Sequence, residues 1–245
     1  MEHEGVLVVR DDLFPGRTKA RFLGMMFDGA EEVVYASPAE GGAQVALATV
    51  ARRLRKQATI FVARRAKPHS RTIQAAKLGA KVVGVAPRYL SVVQARAREY
   101  CARTGARLMP FGADMPEAIN AIVAAACAIG INWCAAGSGV LARGLAAAWS
   151  NARRHAVQVG RTLTERDVAG AIIHVHPVPF GRKARSKPPF PSDPDYEAKA
   201  WEVMTARKGR GQVVFWNVAG PAASLNNSPQ AVKTPRQEPL NLLPH

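Results

Sequence analysis

The chain has 245 residues, 48% of them hydrophobic, which is enough apolar material for one large domain or two small ones and excludes intrinsic disorder. No run approaches the roughly 18 to 20 apolar residues that span a bilayer, and the acidic opening Met1-Glu2-His3-Glu4 is unlike a signal peptide, so a soluble cytoplasmic protein is expected. Thirty-four Lys and Arg against 18 Asp and Glu leave a net charge of +16, and its distribution is uneven. Residues 51–110 carry fifteen basic side chains and one acid, Glu99, whereas residues 1–50 carry four basic and eight acidic ones. An ordinary small-metabolite enzyme has no need of such a field. A polyanion partner does, because each neutralised phosphate releases counterions. The plainer alternative is a solvated basic surface that serves solubility. Cys101, Cys127 and Cys134 form no CxxC pair, which argues against a disulfide framework or a cysteine-rich zinc site and for reduced core residues.

In chain order, an apolar helical run at Phe22, Leu23, Met25 and Met26 precedes a buried-strand pattern at Val33–Ala36. A glycine turn then leads to a helix over Ala43–Lys56. The pattern continues with a strand at Thr59–Ala63, a short helix over Thr72–Leu78 closed by Gly79, and a strand at Lys81–Val85. A helix over Ser91–Arg103 closed by Gly105 follows, then a strand at Arg107–Phe111, a helix from Pro116 to Ile129, a strand at Ile131–Ala135 and a helix over Val140–Trp149. Strands of four to six residues alternating with helices of about ten imply parallel pairing through crossovers, hence an α/β, doubly wound, mostly parallel sheet. Beyond Ile173, Pro177, Pro179, Pro188, Pro189, Pro191 and Pro194 break regular structure. A helix over Tyr196–Arg207 and a last strand at Gln212–Trp216 follow. The expected organisation is a compact unit over 1–220, either a single domain or two closely packed lobes, and a proline-rich tail over 221–245.

Three segments carry candidate chemistry. Lys19 follows a glycine-containing turn ahead of the Phe22 run, where a side chain can point into a cleft at strand ends, and partial burial there would favour its neutral, nucleophilic amine. Most lysines in such a context are surface residues. Gly137-Ser138-Gly139 joins a strand to a helix, so backbone N–H groups can approach an anion and the helix dipole favours it; the same glycines also suit a tight turn for purely conformational reasons. Gly41-Gly42 opens another helix in the same way. His174 and His176 share a strand face at a metal-compatible spacing but lack a third ligand, so no metal is expected. Asp11 and Asp12 read as partners of Arg10, Tyr35 as core, Tyr196 as within reach of a site, and Trp201 and Trp216 as core.

The segment Arg10-Asp11-Asp12 through Gly16-Arg17-Thr18-Lys19-Ala20-Arg21 resembles the R-E-D-x-x-x-G-x-K-x-R stretch of pyridoxal-phosphate enzymes of the tryptophan synthase β-like family, in the aminocyclopropane-carboxylate deaminase and D-cysteine desulfhydrase branch. Ser37 to Gln44, with Gly41, Gly42 and Gln44, is similar to that family's Gly-Gly-x-Gln loop, and Ala136 to Leu145 to its phosphate loop. The resemblance covers about residues 8–220. It implies a compact fold type II-like architecture and pyridoxal 5′-phosphate as cofactor. Lys19 is then the Schiff-base lysine, Gly41, Gly42 and Gln44 lie beside the ring and substrate carboxylate, and Gly137, Ser138 and Gly139 hold the phosphate. Asn217 of Phe215-Trp216-Asn217 stands in for a hydroxyl at the pyridine nitrogen. On this reading Gly139→Asp should cost most of the cofactor affinity while sparing the fold. Departures are Val45-Ala46-Leu47, where the family has Ser-Asn or Asn-His, and a loop lacking its second glycine.

The short form, the Phe215–Gly220 block and the Phe190–Val203 segment look similar to pyridoxal-phosphate enzymes of bacteriophage thymidine hypermodification. This implies a lyase that decarboxylates an α-amino-acid group attached to a pyrimidine of modified duplex DNA, in the host cytoplasm if the gene is viral. DNA contacts are then expected from Arg52, Arg53, Arg55, Lys56, Arg64, Arg65 and Lys67, and from Arg182, Lys183, Arg185 and Lys187; a homodimer is an open option. The alternatives are a deaminase or desulfhydrase acting on a free amino acid, and a non-enzymatic basic nucleic-acid-binding protein on the same scaffold.

Overall fold

The computed structural model describes residues 1–86, 89–126, 131–207, 209 and 211–220; Cys127, Ile129 and the segment 221–245, which figure in the expectations above, lie outside them. In chain order, β1 (Glu2–His3) and β2 (Val6–Arg10) precede 3₁₀ turns at Asp11–Leu13, Thr18–Arg21 and Leu23–Phe27. Next come β3 (Glu32–Ala36), α1 (Ala43–Leu54), β4 (Gln57–Ala63), α2 (Ser70–Lys77), β5 (Lys81–Val85), α3 (Leu90–Thr104) and β6 (Arg107–Leu108). A 3₁₀ turn at Phe111–Ala113 and α4 (Pro116–Ala125) lead to β7 (Ile131–Ala136), α5 (Val140–Ala148), β8 (Arg153–Gln158), β9 (Ile172–Val175), α6 (Glu197–Arg207) and β10 (Val213–Asn217).

The mostly parallel α/β class holds, divided over two sheets. One has the order β5-β4-β3-β6 and is parallel throughout. The other has the order β1-β2-β10-β7-β8-β9, parallel except for the β1–β2 hairpin. In the second, β10 slots between β2 and β7, pairing Asn217 with Arg10 and Trp216 with both Val9 and Cys134. Residues separated by some two hundred positions thereby share one sheet edge.

Alternation along each strand builds three apolar layers. Val33 and Tyr35 of β3 face α1, while Val34 and Ala36 face α3 with Phe61, Val93 and Ala97. Likewise Cys134 and Ala136 of β7 turn to α5, and Trp133 and Ala135 to α6, where Trp201 meets Phe215 and Phe190 edge-on at 5.1 and 4.9 Å. The α1 and α5 layers merge into one core that also takes in Phe22, Leu23 and Phe27, so the two sheets are joined through their inner helices. Trp201 and Trp216 are buried, as the composition of their segments suggests.

Several boundaries differ from the sequence pattern for local reasons. α1 stops at Leu54 because Arg55 adopts a left-handed conformation, φ 57°, and the Lys56 amide returns to the Ala51 carbonyl at 2.9 Å, closing the helix without glycine. The apolar run after Lys19 forms 3₁₀ turns in place of a helix. β6 ends at Leu108, short of Pro110, which has no N–H for the ladder.

Candidate active site

Parallel sheets place ligand sites beyond the carboxyl ends of their strands, where successive loops converge. Here the loops after β2, β3 and β7 carry Lys19, Gly41-Gly42 and Gly137–Gly139 to the cleft between the sheets.

Asp11 organises the Lys19 loop. Buried at the end of β2, its carboxylate accepts hydrogen bonds from Thr18 Oγ1 at 2.7 Å, Arg21 Nη2 at 2.7 Å and Trp216 Nε1 at 3.2 Å. It thus grips Thr18 and Arg21 on either side of Lys19 and ties them to the last strand. Of the two aspartates only Asp12 pairs with Arg10, at 2.7 and 2.8 Å; the pairing expected for Asp11 goes to Arg21 instead. Gly16 makes the bend: its φ is 81°, and a methyl group there would stand 2.7 Å from the Ala20 side chain.

The Lys19 amine donates to the Gly112 carbonyl at 3.4 Å. Burial lowers its pKa from the ordinary lysine value, against the opposing pull of Glu197. Gly112 lies directly on the glycine loop, since a methyl group added to it would come within 2.6 Å of Ser138. Lys19 and Gly137–Gly139, more than a hundred residues apart, therefore meet across Gly112. The N–H groups of Gly137, Ser138 and Gly139 donate to no protein acceptor among the described residues, and Gly139, φ 84°, caps the start of α5. Free N–H donors at a helix N-terminus, next to a lysine of lowered pKa, suit the phosphate and the aldehyde of pyridoxal phosphate, so the residues present fit that cofactor.

The third loop is held from below. Gln44 is buried and donates to the carbonyls of Ala39 at 2.8 Å and Gly41 at 3.0 Å, leaving its Oε1 unpartnered among the described residues. A methyl group on Gly41 would lie 2.9 Å from Ser37 Oγ and 3.1 Å from the Pro38 carbonyl oxygen, so a side chain there would displace its neighbours. Arg71, at the start of α2, hydrogen-bonds the Glu40 carbonyl, forms an ion pair with Asp193 and lies 5.9 Å from the Tyr196 ring centre. Tyr196 in turn stands 3.4 Å from where a methyl group on Gly137 would be. Arg71 thus clamps the Gly41-Gly42 loop of one sheet to the segment entering α6 on the other.

Glu197, the first residue of α6, is 3% exposed, and its Oε2 has no hydrogen-bond partner among the described residues. Burial pushes its carboxyl up to about 7, with Arg17 and Arg71 pulling the other way. Its field reaches Lys19, Arg17 and Cys134. Burial likewise pushes the Tyr35 phenol up to about 12, against a hydrogen bond from the Gly112 backbone, and raises Tyr196. Asn217 is fully buried at the end of β10, but its amide is already occupied: Nδ2 donates to the Pro191 carbonyl at 2.9 Å and Oδ1 accepts from Ser192 at 2.9 Å.

The structure therefore brings together Lys19 and the two glycine loops that the sequence singles out, and adds Arg17, Arg71 and Glu197, which it does not. No local signal marks them. Glu197 reads as an ordinary acid in a first helical turn, and Arg71 as one more cation in the basic stretch.

One expectation needs correction. The expected survival of the fold in Gly139→Asp is untenable, because any Cβ at Gly139 would stand 1.9 Å from the Asp167 carbonyl oxygen. His174 and His176 do not converge: His174 bonds His155 at 2.8 Å, whereas His176, beyond the end of β9, bonds Glu202 at 2.8 Å. No cluster of three metal-binding side chains occurs among the described residues.

The basic residues divide by position. Arg52, Arg53 and Arg55 are exposed at the far end of α1, whose 12 residues run about 18 Å from the cleft. Lys56 is committed to the Phe27 and Ala30 carbonyls at 2.7 and 2.9 Å and to Glu31 at 3.1 Å. Arg64, Arg65 and Lys67 follow β4 on the cleft side, with Arg65 bonded to Glu40 at 2.8 Å beside the Gly41 loop. Arg182, Lys183, Arg185 and Lys187 are exposed on the segment pinned to Pro194 by Ala184 and to Glu202 by Ser186, next to the entry of α6.

No protein-family model matches the sequence, and no curated protein matches it significantly. Among solved structures the chain is similar to an ACC deaminase homologue, with a TM-score of 0.74 and 18% identity over 87% of this chain and 83% of that one. It is also similar to O-ureido-L-serine synthase, with a TM-score of 0.66 and 13% identity over 90% and 86% of the two chains. A third similar structure is diaminopropionate ammonia lyase from Escherichia coli in complex with an aminoacrylate-PLP azomethine reaction intermediate, with a TM-score of 0.57 and 12% identity over 89% and 80%. These likenesses establish the fold, which is the compact type II-like fold that the motif resemblance implies.

Proposed function

We propose that this chain is a pyridoxal-phosphate-dependent lyase acting on an amino acid, with Lys19 as the residue that binds the cofactor covalently. The observation that carries this reading is the meeting of the Lys19 amine, through Gly112, with the unsatisfied N–H groups of Gly137–Gly139. When bound, pyridoxal phosphate supplies an electron sink for the electron pair left on the substrate α-carbon. The chain's own residues do the rest. Gly137, Ser138, Gly139 and the α5 dipole hold the phosphate. Burial keeps the Lys19 amine ready to act as a nucleophile and later to hand a proton to the α-carbon. Glu197, a buried carboxyl titrating near neutrality, can hold or release a proton within the same cleft. Gly41, Gly42 and Gln44 shape the substrate side, and Asn217 is a further candidate for the cofactor if its bonds to Pro191 and Ser192 rearrange.

The finer reading is decarboxylation of an amino-acid group carried on a modified thymidine of duplex bacteriophage DNA. It rests on the net charge of +16 and on two exposed basic segments, 64–67 beside the Gly41 loop and 182–187 beside the entry of α6. The likeness to deaminase and ammonia-lyase structures favours a second reading, turnover of a free amino acid.

Purified protein supplied with cofactor should gain a visible absorption band that borohydride abolishes, and peptide mapping should then find the pyridoxyl group on Lys19. A label on Lys56, Lys67 or Lys77 would refute the assignment. Turnover of free amino acid equal to that on modified DNA would select the second reading.

A further inference from the structure

Arg17 sits two residues before Lys19 in a backbone conformation, φ 62° and ψ −163°, that is essentially reserved for glycine. Glycine would adopt it without strain, so an arginine there is a side chain kept at a cost to stability. It is also only 8% exposed. Its guanidinium makes no hydrogen bond, ion pair or ring contact among the described residues, and its Nε is fully buried. A buried N–H donor without an acceptor is costly, and a guanidinium held in this way is suited to an anion that supplies the missing acceptors.

The charges around it leave room for one anion. The nearby acids are Asp12 and Glu197, and the nearby base is Arg71. Asp12 is engaged by Arg10, and Arg71 is matched by Asp193. Glu197 titrates near neutrality and is only part-ionised. Arg17 therefore keeps positive charge that no acid fully compensates, close to Arg71, whose Nη1 lies 3.4 Å from where a methyl group on Gly42 would stand. No hydrogen bond, ion pair or ring contact among the described residues ties Arg17 to Gly137–Gly139, the loop after β7.

We infer that Arg17, backed by Arg71, forms a pocket for a singly charged, two-oxygen anion of the substrate, held in the fork of the Arg17 guanidinium. The inference rests on the proposed lyase reading for the identity of the substrate, but the pocket itself belongs to the chain. Two sources present this chemistry: an amino-acid carboxylate, or a phosphodiester flanking a modified nucleotide. A guanidinium fork accepts either through two parallel N–H···O bonds.

The test is thermal unfolding of the full chain, with and without added cofactor, in acetate or dimethyl phosphate against chloride at equal ionic strength. At about 100 mM, the preferred anion should raise the Tm by roughly 3 °C over chloride; acetate points to a carboxylate and dimethyl phosphate to a nucleic-acid backbone. Arg17→Gly should melt higher than the parent in chloride, by about 2 to 4 °C, because strain and an unpaired cation are removed together, and it should lose the anion-dependent rise. Arg17→Gln, which keeps the strain but not the charge, should also lose the rise. An Arg17→Gly that melts lower than the parent, an anion response surviving in either variant, or no anion response in the parent would overturn the inference. A response seen without cofactor, in protein that never gains the Lys19-linked band, would leave the pocket standing and remove the lyase reading.

Discussion

At the scale of single residues, the site is distinguished by groups held in the less charged state. Glu197 carries a carboxyl raised to about 7 by burial, against an ordinary value near 4.5 in the unfolded chain. Its folded form binds protons more tightly than the unfolded one, so the stability it contributes is present below pH 4.5 and lost as pH rises through 7. Glu197→Gln lacks this loss. It should be more stable than the parent at pH 8, by up to about 3 kcal/mol, with the difference shrinking toward pH 5; urea unfolding at the two pH values measures it. His155 acts oppositely in both proteins: burial, His174 and Arg153 lower it to about 4, so its contribution is lost as pH falls from 6.5 toward 4. Comparing variant with parent isolates the Glu197 effect. Gly139 offers a second test. With φ at 84° and the Asp167 carbonyl where a Cβ would go, Gly139→Ala should cost stability and cofactor binding together, whereas Ser138→Ala should keep the fold and weaken the cofactor only a few-fold. Thermal melts and cofactor titration of the two variants separate the roles.

At the scale of elements, the loop geometry depends on ties between segments far apart in the chain. Asp11 links β2, the Lys19 turn and β10 through Thr18, Arg21 and Trp216, and Arg71 with Asp193 links α2 to the entry of α6. Both members of the second pair are buried, with side chains 7% and 1% exposed, so removing one leaves an uncompensated charge. Asp193→Asn should cost about 3 to 5 kcal/mol, a fall in Tm on the order of 10 °C, while the double change Arg71→Met with Asp193→Leu should recover part of it. A single substitution that leaves the Tm unchanged would show that the pair does not hold the sheets together. The strand and helix pattern was legible in the sequence because buried parallel strands read as apolar runs and their crossovers as helical periods. The Arg71–Asp193 tie was not, because an ion pair across 122 positions leaves no periodic trace.

For the whole molecule, the basic field divides into a rim at the cleft and a patch away from it. If duplex DNA binds, log affinity should fall against log salt by roughly 0.9 per phosphate engaged, with little sequence preference. Charge reversal at Arg64, Arg65 and Lys67, or at Arg182, Lys183, Arg185 and Lys187, should flatten that slope and impair reaction on DNA. Reversal at Arg52, Arg53 and Arg55 should weaken binding without reaching the chemistry, since the length of α1 separates them from the cleft. A salt-independent affinity would remove DNA as partner. No helix among the described residues is long and apolar enough to cross a membrane.

The sequence by itself determined the α/β class and the order of most elements, and it singled out from short local motifs the residues proposed for the site: Lys19 after its glycine bend, and the glycine loops at the heads of α1 and α5. These are properties of neighbours along the chain, set by backbone conformation and by side-chain period. Only the tertiary structure decided that β10 lies between β2 and β7, that Gly112 bridges Lys19 to Ser138, and that Lys56 is spent on carbonyls while Arg17 is left without a partner. Burial and pairing depend on what the fold brings within a few ångströms, and the same arginine reads identically in sequence whether it ends up solvated, matched by an acid or waiting for an anion.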